Sequence, residues 1–226
     1  MAARPTAVGD SPRTPRLTGA ERQRSILDAA TDVFARRGYE GARIEEIAAA
    51  AGVSKALIYE HFPGKRELYA QIHRAATDEH LERVLEATAD AEGSVEMMER
   101  GLRAYLDFVA ENPARWRLIE QEVSDPELIE LDHSQQARGE RAVAMMIAGD
   151  PEIARQKLSD DQLDLLGVMI NGATVRACNW WVDNPSMGRD EVLRYLMRFM
   201  WLGLERIRRA DLFNGKHAAN ASPNGD

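Results

Sequence analysis

The sequence predicts an all-α protein, and three observations carry that expectation. Ala, Leu, Glu, Arg and Met dominate, aromatic residues are only 6% of the 226, and the β-branched residues are scattered singly with no alternating run. Apolar residues recur three and four apart over long segments, and capping and helix-breaking signals punctuate them. The composition, 44% hydrophobic and 29% charged, is that of a globular chain able to bury a core.

Residues 1–17 place Pro5, Pro12 and Pro15 among Arg4, Arg13 and Arg16 with almost nothing apolar, and predict a disordered basic arm. It reads either as a solvated tail or as an arm that touches DNA. Thr18 and Glu21 have the form of a capping box and open a first helix, in which Ile26, Leu27, Ala30, Val33 and Phe34 share a face. It ends near Arg37, with Gly38 at the left-handed position. Helices follow over 43–51, 55–62 and 64–89, the last two parted by Pro63-Gly64. The polar stretch 90–94 is one candidate joint between a head and a body, and a boundary inside the preceding helix is the other. The division adopted is a head over 18–70 and a body over 71–213.

In the body a helix is predicted over 95–111 and stopped by Asn112-Pro113, then helices over 114–123 and 126–147. Gly149-Asp150-Pro151 and 158–161 read as a connection. Two long periodic segments close the chain, 161–182 and 189–212, separated by Asn184-Pro185-Ser186, with a disordered tail over 214–226.

The formal net charge of -8 hides an asymmetry. Residues 1–75 hold 12 Lys and Arg against 9 Asp and Glu, a net of +3, which leaves 17 against 28, a net of -11, for the rest. A mildly basic head on an acidic body suits a protein that presents only its head to a polyanion. No apolar run approaches the ~20 residues of a membrane span, and the N-terminus has no secretory signal, so no membrane partner and a cytoplasmic location are expected. The single cysteine, Cys178, excludes an internal disulfide framework and multi-cysteine metal sites. His73, His80, His133 and His217 form no metal-binding pair, and there is no nucleophile elbow or phosphate-cradling glycine loop. Neither metal, cofactor nor enzymatic activity is expected.

The informative stretch runs from Ile44 to Phe62. Ala48 is small enough for two helices to pack closely, and four residues later Gly52 sits where a tight turn favours positive φ. Ile47, Ala51, Val53 and Ile58 form the apolar face that both helices share, and Ser54 caps the second. This is the pattern of a helix-turn-helix, whose second helix would expose Ser54, Lys55, Ala56, Tyr59 and Glu60 to a major groove, with Lys65 and Arg66 meeting the backbone.

On these residues the region from Arg24 to Leu68 resembles the N-terminal domain of Tet repressor (TetR) family transcriptional regulators. The resemblance rests on Ile26 to Ala30, Phe34 to Tyr39, Ile47-Ala48, Ala51 to Ser54, Ile58-Tyr59, His61-Phe62, Lys65, Glu67 and Leu68. It implies an all-α homodimer whose two heads bind a palindromic double-stranded DNA operator, with a helical body that receives a small effector. It also implies that Tyr59, His61 and Lys65 contact phosphates or buttress the recognition helix, and that Lys55, Ala56 and Leu57 lie where bases are read. Two positions depart from the family's pattern: Arg43 stands where Thr or Ser commonly caps the second helix, and Ala56 where Gly is common.

In the body, Leu163, Leu166, Ile170, Ala173, Ala177 and Trp180 share a stripe on one long helix, and Val192, Leu196, Phe199, Gly203 and Ile207 offer another. The two stripes read as a four-helix interface between subunits, or else as filling for one subunit's core. Asn171, Val175 and Cys178 lie on a different side. With Tyr105, Phe108, Trp116, Met145 and Met169 they are the candidate effector-binding residues, the alternative being plain core. The expected function is a ligand-responsive repressor released from its operator by an unidentified, largely apolar molecule. The alternative is a small-molecule-binding protein that keeps its head only as a folding unit.

Overall fold

The structure, a computed structural model, describes residues 18–208, with the backbone alone for 206–208. The predicted arm at 1–17, the tail at 214–226, His217 and the last residues of the 189–212 helix lie outside the described residues. Within them there are ten helices and no strand. They are α1 Gly19–Gly41, α2 Ile44–Ala51, α3 Lys55–His61, α4 Lys65–Thr88, α5 Ser94–Glu111, α6 Pro113–Ile119, α7 Pro126–Ala148, α8 Pro151–Gln156, α9 Asp160–Asp183 and α10 Arg189–Arg208.

Local chemistry explains most boundaries. The Thr18 hydroxyl accepts the Glu21 amide, while the Glu21 carboxylate accepts the Thr18 N–H at 2.8 Å, a reciprocal cap that starts α1. Gly38, at φ +75°, breaks α1 near its end. Ser159 and Gln162 form the same reciprocal cap on α9. Helix α8, which falls in the segment expected to be a connection, is only six residues long and too short to show periodicity. Its start is nonetheless encoded, since the Asp150 carboxylate accepts the amides of Glu152 and Ile153, and Pro151 occupies the first turn. Conversely α6 stops at Ile119, four residues before the expected end, because the segment that follows is held by contacts outside the helix.

Two cores are stacked along α4. The first gathers α1, α2 and α3 around Ile26, Val33, Phe34, Ile47, Ile58 and Leu68, and Leu118 and Leu128 of the body close it. The second gathers α5, α6, α9 and α10 around Leu106, Phe108, Trp116, Cys178, Leu193 and Leu196. Helix α4 gives Leu68, Tyr69 and Ile72 to the first and Ala76 to the second, so one rigid rod passes through both. Helices α7 and α9 approach so closely at Gly167 that an added Cβ would lie 2.4 Å from the Glu140 carbonyl oxygen.

Candidate nucleic-acid interface and ligand cavity

The helix-turn-helix is built on its turn. Gly52 takes φ +66°, and the Val53 amide reaches back to the Ala48 carbonyl at 3.0 Å, folding α3 across α2. Ile47, Ala48 and Ile58 are buried between them, and Ala51 and Val53 pack alongside. The Ser54 hydroxyl accepts the Leu57 amide at 3.2 Å and caps α3. Helix α3 therefore has a fixed roll, which leaves Ser54, Lys55, Ala56, Tyr59 and Glu60 exposed and Leu57 and His61 half-buried.

The cations of this face differ in how free they are. Arg43 is exposed at the start of α2 and makes no side-chain cap bond there. The Lys55 ammonium pairs with Glu45 of α2 and lies 5.8 Å from the Tyr59 ring. Lys65, expected at the DNA backbone or behind the recognition helix, is committed elsewhere. Its ammonium donates to the carbonyls of Tyr39 at 2.7 Å and Ala42 at 3.2 Å and sits 4.4 Å from the Tyr39 ring. The broken end of α1 leaves carbonyls that need a donor, and Lys65 supplies it. Arg66 is likewise turned to the body, 2.8 Å from Glu127.

A second set of contacts ties head to body through the segment between α6 and α7, and no local pattern announces it. The Gln121 carboxamide accepts the Tyr39 amide at 3.1 Å and donates to the Phe34 carbonyl at 3.4 Å, clasping the break at Gly38 from both sides. The Glu40 carboxylate accepts the Ser124 amide at 3.2 Å, and the Tyr39 hydroxyl donates to Asp125 at 3.4 Å. These partners are 82 to 87 residues apart in the chain.

The residue before this clasp faces the other way. Glu120 lines a cavity of about 180 Å³ bordered by α4 to α10. Four of the predicted effector residues, Tyr105, Trp116, Asn171 and Val175, line it. Four do not. Phe108 and Cys178 are wholly buried in the packed core behind it, and Met145 and Met169 are exposed. Met146 lines the void in place of Met145, since one residue turns a helix by 100°. His80, Glu120, Met98 and Gly101 also line it and escaped the sequence reading, because α4 and α5 each show a broad apolar face with nothing to mark its hollow part. Burial and the nearby Arg83 hold the His80 imidazole down to about 4, burial pushes the Cys178 thiol up to about 12, and burial also raises the Glu120 carboxyl and the Tyr105 hydroxyl.

On the outside of the body the predicted stripes are partly turned inward. Val192 and Leu196 are buried, Ile170, Ala173 and Ala177 pack on the body core, and Leu163 and Leu166 are half-buried. Of the predicted α9 stripe Trp180 is exposed, and with it stand Leu165, Val168 and Met169, on the neighbouring side of the helix from the rest of that stripe. It continues on α10 with Tyr195, Phe199 and Leu202, of which Phe199 is 73% exposed, beside the exposed Gly203. The Ile207 side chain lies outside the described residues. Among the described residues no group of three His, Cys, Asp or Glu is placed to hold a metal ion, and no helix is long and apolar enough to cross a membrane.

Known proteins share both halves of this arrangement. The family described as bacterial regulatory proteins, tetR family, matches residues 26–72, and the one described as tetracyclin repressor-like, C-terminal domain, matches residues 95–203. An HTH-type transcriptional repressor of Streptomyces coelicolor is 32% identical over 180 residues, 78% of this chain and 84% of that protein. The HTH-type transcriptional activator FasR of Mycolicibacterium smegmatis is 27% identical over 203 residues, 88% of this chain and 90% of that one. A solved structure of a TetR-like transcriptional regulator from Rhodococcus sp. RHA1 superimposes with a TM-score of 0.70 at 24% identity, covering 84% of this chain and 99% of that one. With the likeness running through head and body alike, the chain belongs to the TetR family of DNA-binding transcriptional regulators.

Proposed function

We propose that the protein is a repressor that binds a palindromic operator as a homodimer and is released when a small, largely apolar molecule enters the body cavity. The observation that carries the response is the segment after α6. Glu120 faces the cavity and the adjacent Gln121 clasps the end of α1, so a molecule that displaces the first pulls on the second. Helix α4, shared by both cores, carries the same displacement to the head. On this reading the head spans 18–70, the body 71–213, and the division falls inside α4.

The dimer follows from the outer face of α9 and α10. Seven large apolar side chains stand exposed there at helical spacing, a patch that two copies related by a two-fold axis bury together. Each head then presents α3 to one half-site, and half-sites about one helical turn apart, ~34 Å, demand a fixed distance between heads. Ser54, Tyr59, His61 and Arg43 serve the phosphates, Lys55, Ala56 and Leu57 face the bases, and Lys65 holds the end of α1 that supports them.

The test is selection of bound fragments from the source genome with purified protein, followed by titration of the enriched site at several salt concentrations. One palindrome with a steep salt slope supports the reading. A folded dimer that enriches no site at low salt overturns it. A releasing molecule must bind free protein more tightly than the operator complex, by the same factor as it weakens operator binding.

A further inference from the structure

The cavity wall is apolar for most of its length, lined by Leu81, Val84, Met98, Leu102, Met146 and Trp201. One region is not. The Tyr105 hydroxyl, the Glu120 Oε1 and the Asn171 carboxamide have no hydrogen-bond partner among the described residues, and all three residues line the void. Their surroundings are already committed. Glu120 Oε2 accepts from the Asn179 amide at 2.8 Å, and Asn179 accepts the Trp116 indole N–H at 2.9 Å, so the free Glu120 oxygen is held in place. The His80 ring packs edge-on against Tyr105 at 4.1 Å with its Nε2 buried and unpaired. Unpaired polar groups at an apolar void are costly unless something bonds to them.

The charged groups near the void are also occupied. Arg83 is held by Glu79 at 2.8 Å and Glu111 at 2.7 Å, and Arg138 by Asp78 at 2.7 Å. Asp132 lies 3.5 Å from His73 and accepts from Gln136. Among the described residues the arginine that lines the void, Arg138, is thus already paired with an acid of the protein. Burial raises the Glu120 carboxyl, which weakens its hold on a cation. His80 and Tyr105 are pushed towards their neutral forms by the same burial, and a bare ion entering the void meets the same penalty.

We infer that the cavity selects an uncharged amphipathic molecule: an apolar body carrying one oxygen function, hydroxyl or carbonyl, that bonds to Tyr105 and Glu120. The adaptable Met98 and Met146 receive the apolar body, and Asn171 offers a second bond to a carbonyl or hydroxyl further along. The inference rests on the cavity being the effector site, but its test does not depend on DNA.

The test compares three ten-carbon probes of equal body, 1-decanol, decanoate and decylamine, below their micelle concentrations. Binding is followed by the fluorescence of Trp116 and Trp201, which line the void. 1-Decanol is expected to bind about tenfold or more tightly than either ion. Tyr105→Phe keeps the ring and is expected to weaken 1-decanol by about fivefold, one hydrogen bond's worth, while leaving the ions and the melting temperature unchanged. Glu120→Gln keeps a polar group of the same shape and is expected to retain the preference for 1-decanol. Tighter binding of either ion, no binding of 1-decanol, or a Tyr105→Phe protein that binds 1-decanol as the parent does would overturn the inference. If 1-decanol binds with the expected preference yet no bound probe changes operator affinity, the ligand class stands and the release mechanism falls.

Discussion

Head and body are built from the same kind of helix and finished differently. The head is closed: Ile26, Val33, Phe34, Ile47, Ile58 and Leu68 are each wholly buried, and the carbonyls freed at the break in α1 are taken by Lys65 and Gln121. The body is left open twice, once inside, where a cavity keeps polar groups unpaired, and once outside, where α9 and α10 expose Phe199 and its neighbours. A surface that must match the spacing of a DNA groove needs a backbone with one conformation, and full packing supplies it. A module that must change state on binding needs volume and bonding capacity held in reserve.

The sharpest way to break this comparison is to close the body's outer opening with charge. Phe199→Glu with Leu202→Glu is expected to give a folded monomer, seen by sedimentation, whose affinity for the palindrome falls by a factor on the order of 100, because a single head loses the second half-site. A dimer of undiminished affinity would move the interface elsewhere. The next test targets the close crossing of α7 and α9 in the body. Gly167→Ala puts a methyl 2.4 Å from the Glu140 carbonyl. Despite the better helix propensity of alanine, this is expected to cost about 2 kcal/mol and several degrees of melting temperature. The smallest effect is expected in the head. Arg43→Thr restores a cap to α2 and is expected to add about 1 kcal/mol of stability. It should also lower the salt slope of operator binding by about 1, if Arg43 meets a phosphate.

The head was legible because its determinants are local. Thr18 with Glu21, Gly38, Gly52 and Ser54 each act within four residues of their own positions, so their roles follow from spacing, and the resemblance rests on the same residues. The exposed face of α3 follows from its spacing, whereas the partners of Lys65 do not, because they are carbonyls at the end of another helix, 23 to 26 residues away. The body was legible only as a list of helices. On α9 the period of the apolar residues is plain, yet almost every side of that helix carries apolar residues. Periodicity gives the pitch of a stripe but not which neighbour it meets. The predicted interface stripe therefore turned largely inward, and Met169, assigned to the interior, stands on the outside. Tyr105, Trp116, Asn171 and Val175 do line the cavity, but so do Glu120, at the end of α6, and His80 of α4, and nothing in the pattern of either segment marks them.

By itself the sequence determined the helices, their caps, the turn at Gly52 and the roll of α3, since each depends on bonds between residues a few positions apart. Only the tertiary structure decided that Lys65 and Gln121 guard the break at Gly38, that Glu120 faces a void, and which flank of α9 is left bare. Those outcomes depend on which helices meet and how closely. They are set by packing and by the need to satisfy buried polar groups across the whole chain, and no spacing within one helix records them.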